Sequence, residues 1–185
     1  MRTTRILAAA AAVVTGWLLL AAPAPAATAG VVPDPTTDAC RSVAPTARLV
    51  EMTTPKSEGV FYTACATEVA TAERMGFKRT TTPLGQVATR PFRGGVPLYR
   101  FRVASASSYI LTSDRDEYAE LKDSARFIEE GVVGFIGRTG DSAKRIWRFH
   151  FDHESKWRIA IAAHADVIRR DEPGWTLDGP HGYFR

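Results

Sequence analysis

The sequence predicts an α+β fold: a pseudo-threefold body of three β-β-α-β repeats, mainly antiparallel sheet with one short helix per repeat. Three observations predict it. The chain resembles itself at a fixed offset, each copy opens on a run that alternates at strand period, and each copy carries a short helical run with a stop behind it. The offset is clearest in the second half. Leu98-Tyr99-Arg100-Phe101 returns 48 positions on as Ile146-Trp147-Arg148-Phe149. Tyr109 returns as Trp157, Phe127 as Trp175, Gly131 as Gly179, Gly134 as Gly182 and Phe135 as Tyr183, with no gap. Self-similarity at such a period marks a repeat architecture. A weaker copy precedes these, in which Tyr109 goes back to Phe61, Ser113 to Cys65 and Asp116 to Glu68, and Leu49 or Val50 stands where Leu98 does. The copies run over 47–94, 95–141 and 142–185.

Each copy then reads in the same order. Tyr99, Phe101 and Val103 alternate with Arg100 and Arg102, the mark of a half-buried strand, and Trp147, Phe149 and Phe151 alternate with Arg148 and His150. On this reading the arginines face away from the core. A polar loop and a second short strand follow, Tyr109 to Leu111 or Trp157 to Ile161. Ser113 is placed to cap the second copy's helix, with Asp116 three residues on as in a capping box, and Tyr118, Leu121 and Ala125 at helical spacing. The first copy's helix covers 66–75 with Gly76 as a stop, and the third covers 162–170 ahead of Pro173-Gly174. A last strand covers 127–136 or 175–184, its two glycines marking a bulge or a close backbone approach. One such unit cannot bury its apolar face alone, whereas three can close around a shared centre.

Arg2 and Arg5, the apolar stretch Ile6 to Ala22 and the exit Ala24-Pro25-Ala26 describe a secretory signal peptide over 1–29. Residues 30–46 read as a polar, Pro-rich arm, and 47–185 as one three-repeat domain. The expected location is therefore secreted, with no membrane attachment after cleavage. The full chain carries a formal charge of +4, and removal of Arg2 and Arg5 leaves +2, with 22 basic against 20 acidic residues. Acids and bases are interspersed, which argues against a nucleic-acid partner. Cys40 and Cys65 make an even pair in an exported chain, so a disulfide is expected. It closes a loop worth roughly 3 kcal/mol of chain entropy.

The units resemble a secreted tandem-repeat domain of unknown function, found alone or appended to extracellular hydrolases and surface proteins. The opening Pro97-Leu98-Tyr99-Arg100-Phe101, the middle Phe61-Tyr62-Thr63-Ala64-Cys65 with Glu68, and the close Glu130-Gly131-Val132-Val133-Gly134-Phe135 carry the resemblance. Two features depart from it. Val60, Ser108 and Lys156 stand where the pattern has His, and Trp157-Arg158-Ile159-Ala160-Ile161 replaces a Phe-Tyr-Thr-Thr-Ser stretch. The resemblance implies an accessory, lectin-like role by the company such domains keep.

Aromatic rings are the main candidates for binding, because sugar C–H faces stack on Trp and Tyr while Arg and Asp take the hydroxyls. Tyr62, Tyr99, Tyr109, Trp147 and Trp157 recur at equivalent places, with Arg100 and Arg148 opposite the aromatic stripe. Core packing is the competing reading for the rings, and a surface ion pair, to acids such as Glu51, for the arginines. His150, His153 and His164, with Asp152 and Glu154, lack the spacing of a zinc site and read as a solvated turn. Glu129 and Glu130 are adjacent in a strand and point to opposite faces, unlike a glycosidase pair. No catalytic residue, metal or cofactor is expected. The expected function is a non-catalytic binding module for polysaccharide or cell-wall glycan. The alternatives are an extracellular protein-interaction or inhibitor domain and, third, a hydrolase.

Overall fold

Antiparallel pairing organises the chain, and the turns that permit it are the polar and glycine-rich stretches between apolar runs. The structure is a computed structural model that describes Cys40 and residues 42–185. The signal peptide and most of the N-terminal arm lie outside the described residues. Among the described residues the order is β1 (Thr46–Arg48), β2 (Val50–Thr53), β3 (Val60–Thr63), α1 (Ala66–Arg74), β4 (Lys78–Arg79), β5 (Gln86–Ala88), β6 (Gly95–Val103) and β7 (Tyr109–Thr112). It continues with α2 (Arg115–Asp123), β8 (Phe127–Gly137), β9 (Arg145–Phe151), β10 (Trp157–Ile161), α3 (Ala162–Asp171) and β11 (Trp175–Tyr183). Mostly antiparallel sheet with three short helices is an α+β architecture.

The larger sheet runs β1-β5-β8-β11-β9-β10, with β6 and β7 branching from β8, and the smaller runs β3-β2-β4. The long pairings are β6 with β8 and β9 with β11, and each is broken by register shifts. Opposite Arg100 stands Gly131 at φ 95°, and opposite Arg148 stands Gly179 at φ 145°. A side chain resists such φ values, so glycine is what lets the strand bulge beside each arginine. The bulge carries Glu130 and Asp178, the residues just before those glycines, against the same arginines.

A central apolar cluster gathers Leu49, Tyr62, Val87, Leu98, Leu111, Ile136, Ile146, Ile159 and Phe184 with their neighbours. On the outer side of the strands each helix seals its own smaller cluster. Val69 and Ala72 of α1 meet Phe61 and Phe77, Leu121 of α2 meets Phe101 and Ile110, and Ala165 and Ile168 of α3 meet Phe149 and Ala160. The strands are therefore covered on both faces. This corrects the expectation that Arg100 faces away from the core: its side chain is fully buried. Period-2 alternation assigns residues to two faces but does not say that the second face is open.

The helices start and stop for local reasons. Asp114, not Ser113, caps α2: its Oδ1 accepts from the amides of Asp116 and Glu117 at 2.9 Å each. Ser113 instead donates its hydroxyl to the carbonyl of His181 at 2.6 Å. Helix α1 stops before Gly76, whose φ of 89° suits a residue without Cβ. The disulfide joins Cys40 to Cys65, the cap position of α1. No helix among the described residues is long and apolar enough to cross a membrane.

Candidate functional site

The polar chemistry of the domain gathers where a strand pair meets the helix that precedes it in the chain. Arg100, from β6, donates to both oxygens of Glu68 on α1 at 2.6 and 3.2 Å, to the carbonyl of Tyr62 at 2.7 Å and to Glu130 at 2.8 Å. Its guanidinium lies 4.4 Å from the centre of the Phe61 ring. Arg148, from β9, repeats the arrangement. It donates to both oxygens of Glu117 on α2 at 2.7 and 2.9 Å, to the carbonyl of Leu111 at 3.0 Å and to Asp178 at 2.7 Å. Forked, charge-assisted bonds of this kind are strong and fix geometry. A third junction reverses the signs. Glu51 of β2 is buried, and it accepts from the hydroxyls of Tyr62, Thr80 and Thr82 at 2.8, 2.8 and 2.6 Å. Arg158 of β10 lies 3.7 Å from it and donates to Glu172 at 2.9 Å.

Clefts open beside two of these junctions. The larger, about 650 Å³, is lined by Asp114, Glu117, Arg138, Arg148, Asp178 and His181. Burial and the neighbouring Arg148 hold the His181 imidazole down to about 4, against the opposing pull of Glu117, Asp178 and Asp114. Burial pushes Glu117 up, but the hydrogen bonds and charge of Arg148 outweigh it and leave the carboxyl below its ordinary range. Two backbone amides hold Asp114 low as well. The smaller cleft, about 240 Å³, is lined by Ser57, Lys156, Arg158, Glu172 and Trp175 with Glu51 at its base.

The residues singled out from the sequence fall into three groups. Tyr62 and Tyr109 are 1% and 2% exposed and offer no ring face to a ligand. The Tyr62 hydroxyl is committed to Glu51 and to the amide of Ile159, and burial followed by the Glu51 charge pushes its phenol well up. Tyr109 packs its ring 5.0 Å from that of Phe61, and its phenol too is pushed up, first by burial. Tyr99, Trp147 and Trp157 are half-buried. Tyr99 lies against Tyr118, Trp147 between Arg145 and Arg169, and Trp157 against Phe127 and Arg126. Arg100 and Arg148 form ion pairs that are buried or nearly so rather than at the surface, and the partners of each are a helix acid and a strand acid rather than Glu51.

Among the histidines, His150 Nδ1 touches Asp178 and His164 lies 3.3 Å from Arg158. Among the described residues no group of three His, Cys, Asp or Glu side chains is arranged to hold a metal. Ser113 has its proton on a backbone carbonyl, which activates nothing. Glu129 and Glu130 diverge as expected, Glu129 accepting from Tyr118 and Glu130 from Arg100 and Arg102. The residues that sequence reasoning passed over are Glu117, Asp178, His181, Glu172 and Trp175. A sign of the first two was present: Asp178-Gly179 repeats Glu130-Gly131, and an acid stands in the first turn of both α1 and α2.

Fold and site together define a small α+β domain whose polar groups are bound to one another at strand–helix junctions. Residues 47–184 match the family described as "Domain of unknown function (DUF5648)", and the chain belongs to that family. No curated protein and no solved structure matches it.

Proposed function

We propose that the protein is a secreted, non-catalytic binding module for carbohydrate or cell-envelope material, built from three copies of one unit. The observation that carries the binding reading is the cleft at Arg148. Its carboxylates and guanidinium are held in place by one another before any ligand arrives, at side-chain exposures of 8–25%. A fixed array of donors and acceptors reads hydroxyl groups without the cost of ordering them first. Proton transfer needs something different, a group poised to change its charge near neutrality. Burial and the Arg148 charge shift the His181 imidazole away from neutrality, down to about 4, which favours the binding reading.

The three-copy reading is supported by the composition of the central cluster. Leu49, Leu98 and Ile146 lie there together, as do Tyr62, Leu111 and Ile159, and Val87, Ile136 and Phe184. Each triplet has an offset of 49 and then 48 positions. The first offset agrees with the pairing of Leu98 with Leu49 and is one longer than that of Tyr109 with Phe61. At this offset Tyr62, rather than Thr63, is the counterpart of Leu111, and their carbonyls take Arg100 and Arg148.

A protein-interaction or inhibitor domain would present an apolar face. The exposed large hydrophobic residues among those described, Val43, Ile128 and Val167, sit on three separate parts of the chain. Retention of the protein on insoluble polysaccharides and isolated cell wall, competed by soluble oligosaccharide and weakened by Asp178→Asn, is the expected result. Passage through every one of these matrices overturns the reading.

A further inference from the structure

The smaller cleft differs from the rest of the surface in three ways. Its walls join the β2–β3 loop to β10 and the start of β11, so residues about 100 positions apart in sequence meet there. It is the place where the junction charges are reversed, with Glu51 where the equivalent positions hold Arg100 and Arg148. And the loop on its rim is strained. Lys56 and Ser57 are consecutive non-glycine residues at φ 63° and 57°. Such conformations persist only where the surroundings impose them, and they concentrate at working sites. Here Thr54 braces the loop through the amide of Gly59 at 2.8 Å, and Gly59 lies so close to Ser108 that a Cβ there would come within 2.6 Å of its backbone.

Resting on the binding-module reading, we infer that this cleft is a subsite for a single neutral pyranose unit, stacked on Trp175 and held by Arg158 and Glu172. Size sets the ligand first. About 240 Å³ displaces about eight waters at ~30 Å³ each, below the ~300 Å³ at which pockets begin to take drug-sized molecules. One ring fits and two do not. Charge sets it next. Glu51 and Glu172 face Lys156 and Arg158, two acids against two bases, so neither an anion nor a cation is favoured.

The available hydrogen bonds then choose among neutral rings. Glu51 already accepts from three hydroxyls and lies beside Arg158, so it positions that arginine rather than meeting a ligand. Arg158 spends one donor on Glu172 and one on Thr82, and a third lies 3.3 Å from His164. A guanidinium has five, so donors remain. Glu172 has its second oxygen no closer than 3.9 Å to His164, and a third of its side chain is exposed. An acceptor and a donor side by side match two vicinal hydroxyls of a sugar, while the half-buried Trp175, its ring perpendicular to that of Phe151, supplies the aromatic lining on which the C–H side would rest. A single small site binds weakly, and repeating glycans make up for that by multivalency.

The test uses the full chain with amorphous cellulose, chitin and isolated peptidoglycan as the matrices, and Trp175→Leu and Glu172→Gln as variants. The site predicts that wild type is retained on one matrix and that each variant lowers retention about tenfold with an unchanged unfolding midpoint. Wild-type retention that both variants keep overturns the subsite and leaves the module reading standing. No wild-type retention overturns both. Should Trp175→Leu fail to fold, Glu172→Gln decides alone by the same criterion, since that side chain lies at the rim.

Discussion

Two junctions of this molecule use the same parts to opposite effect. At the first, Arg100 and Glu68 are both 0% exposed, and the Phe61 ring closes over the guanidinium. At the second, Arg148 and Glu117 are 8% and 25% exposed, and the cleft opens beside them. The bond lengths barely differ. What differs is what lies around the pair. Val133, in the first junction's closing strand, is part of the central core, whereas the residue 48 positions on is His181, which lines the cleft. A polar side chain thus stands beside the open junction where the sealed one has an apolar side chain.

The largest expected effect follows from sealing. Arg100→Leu strands the Glu68 carboxylate with no water and no counter-charge, and breaking a buried pair from one side costs about 3–5 kcal/mol. Urea unfolding should show that loss, and adding Glu68→Leu should recover most of it. Arg148→Leu should cost less, about 1–2 kcal/mol, because Glu117 and Asp178 can rehydrate through the cleft. Equal losses at both sites would mean that the openness of the second junction has no energetic weight.

This contrast was only half legible in the sequence. The α+β class, with its three short helices, followed from alternation and punctuation, which are local. Burial of the arginines did not, because Arg100 reaches Glu68 from 32 positions away, across a chain reversal. Alternation placed both arginines opposite the aromatic stripe, as a solvated face would also require. The same local logic made Tyr62 a candidate platform. It is core because β3 is covered on both faces: the Tyr62 ring packs in the central cluster with Leu49, Leu111 and Ile159, and its hydroxyl is held by Glu51 and the amide of Ile159.

Acid should separate the junctions next. His181 titrates near 6.5 in the unfolded chain and near 4 in the fold, so the unfolded state takes up the proton first. Stability from this group is intact above about pH 6.5 and falls as the pH drops towards 4, by about 3 kcal/mol in all. Glu117 adds to the loss: its carboxyl is held low in the fold, so its contribution is present above the ordinary carboxylate range and disappears as the pH falls through the lowered value. Glu130, at the first junction, has the opposite sign. Burial raises its carboxyl, with Arg100 and Arg102 pulling the other way, so protonation of Glu130 is favoured in the fold and this group's contribution does not fall with acid. Unfolding curves from pH 7 to pH 4 should show His181→Val gaining on wild type as the pH falls. A constant difference between the two would remove His181 as the cause.

The smallest effect lies at the rims, and it tests whether the junctions differ only inside. Arg102 reaches the outer oxygen of Glu130 at 3.2 Å, and His150 stands in the same relation to Asp178. Their side chains are 33% and 39% exposed, so water already solvates most of what a partner would supply. Arg102→Gln and His150→Gln should each change stability by less than about 1 kcal/mol. The Arg102 effect should shrink between 0.01 and 1 M salt, as the Debye length drops from about 30 to 3 Å. Arg100→Leu should keep its full cost over the same range, since no ions reach a side chain with no exposed surface. If its cost fell in parallel with that of Arg102, the seal at the first junction would be open in solution, and the two regions would differ in sequence alone.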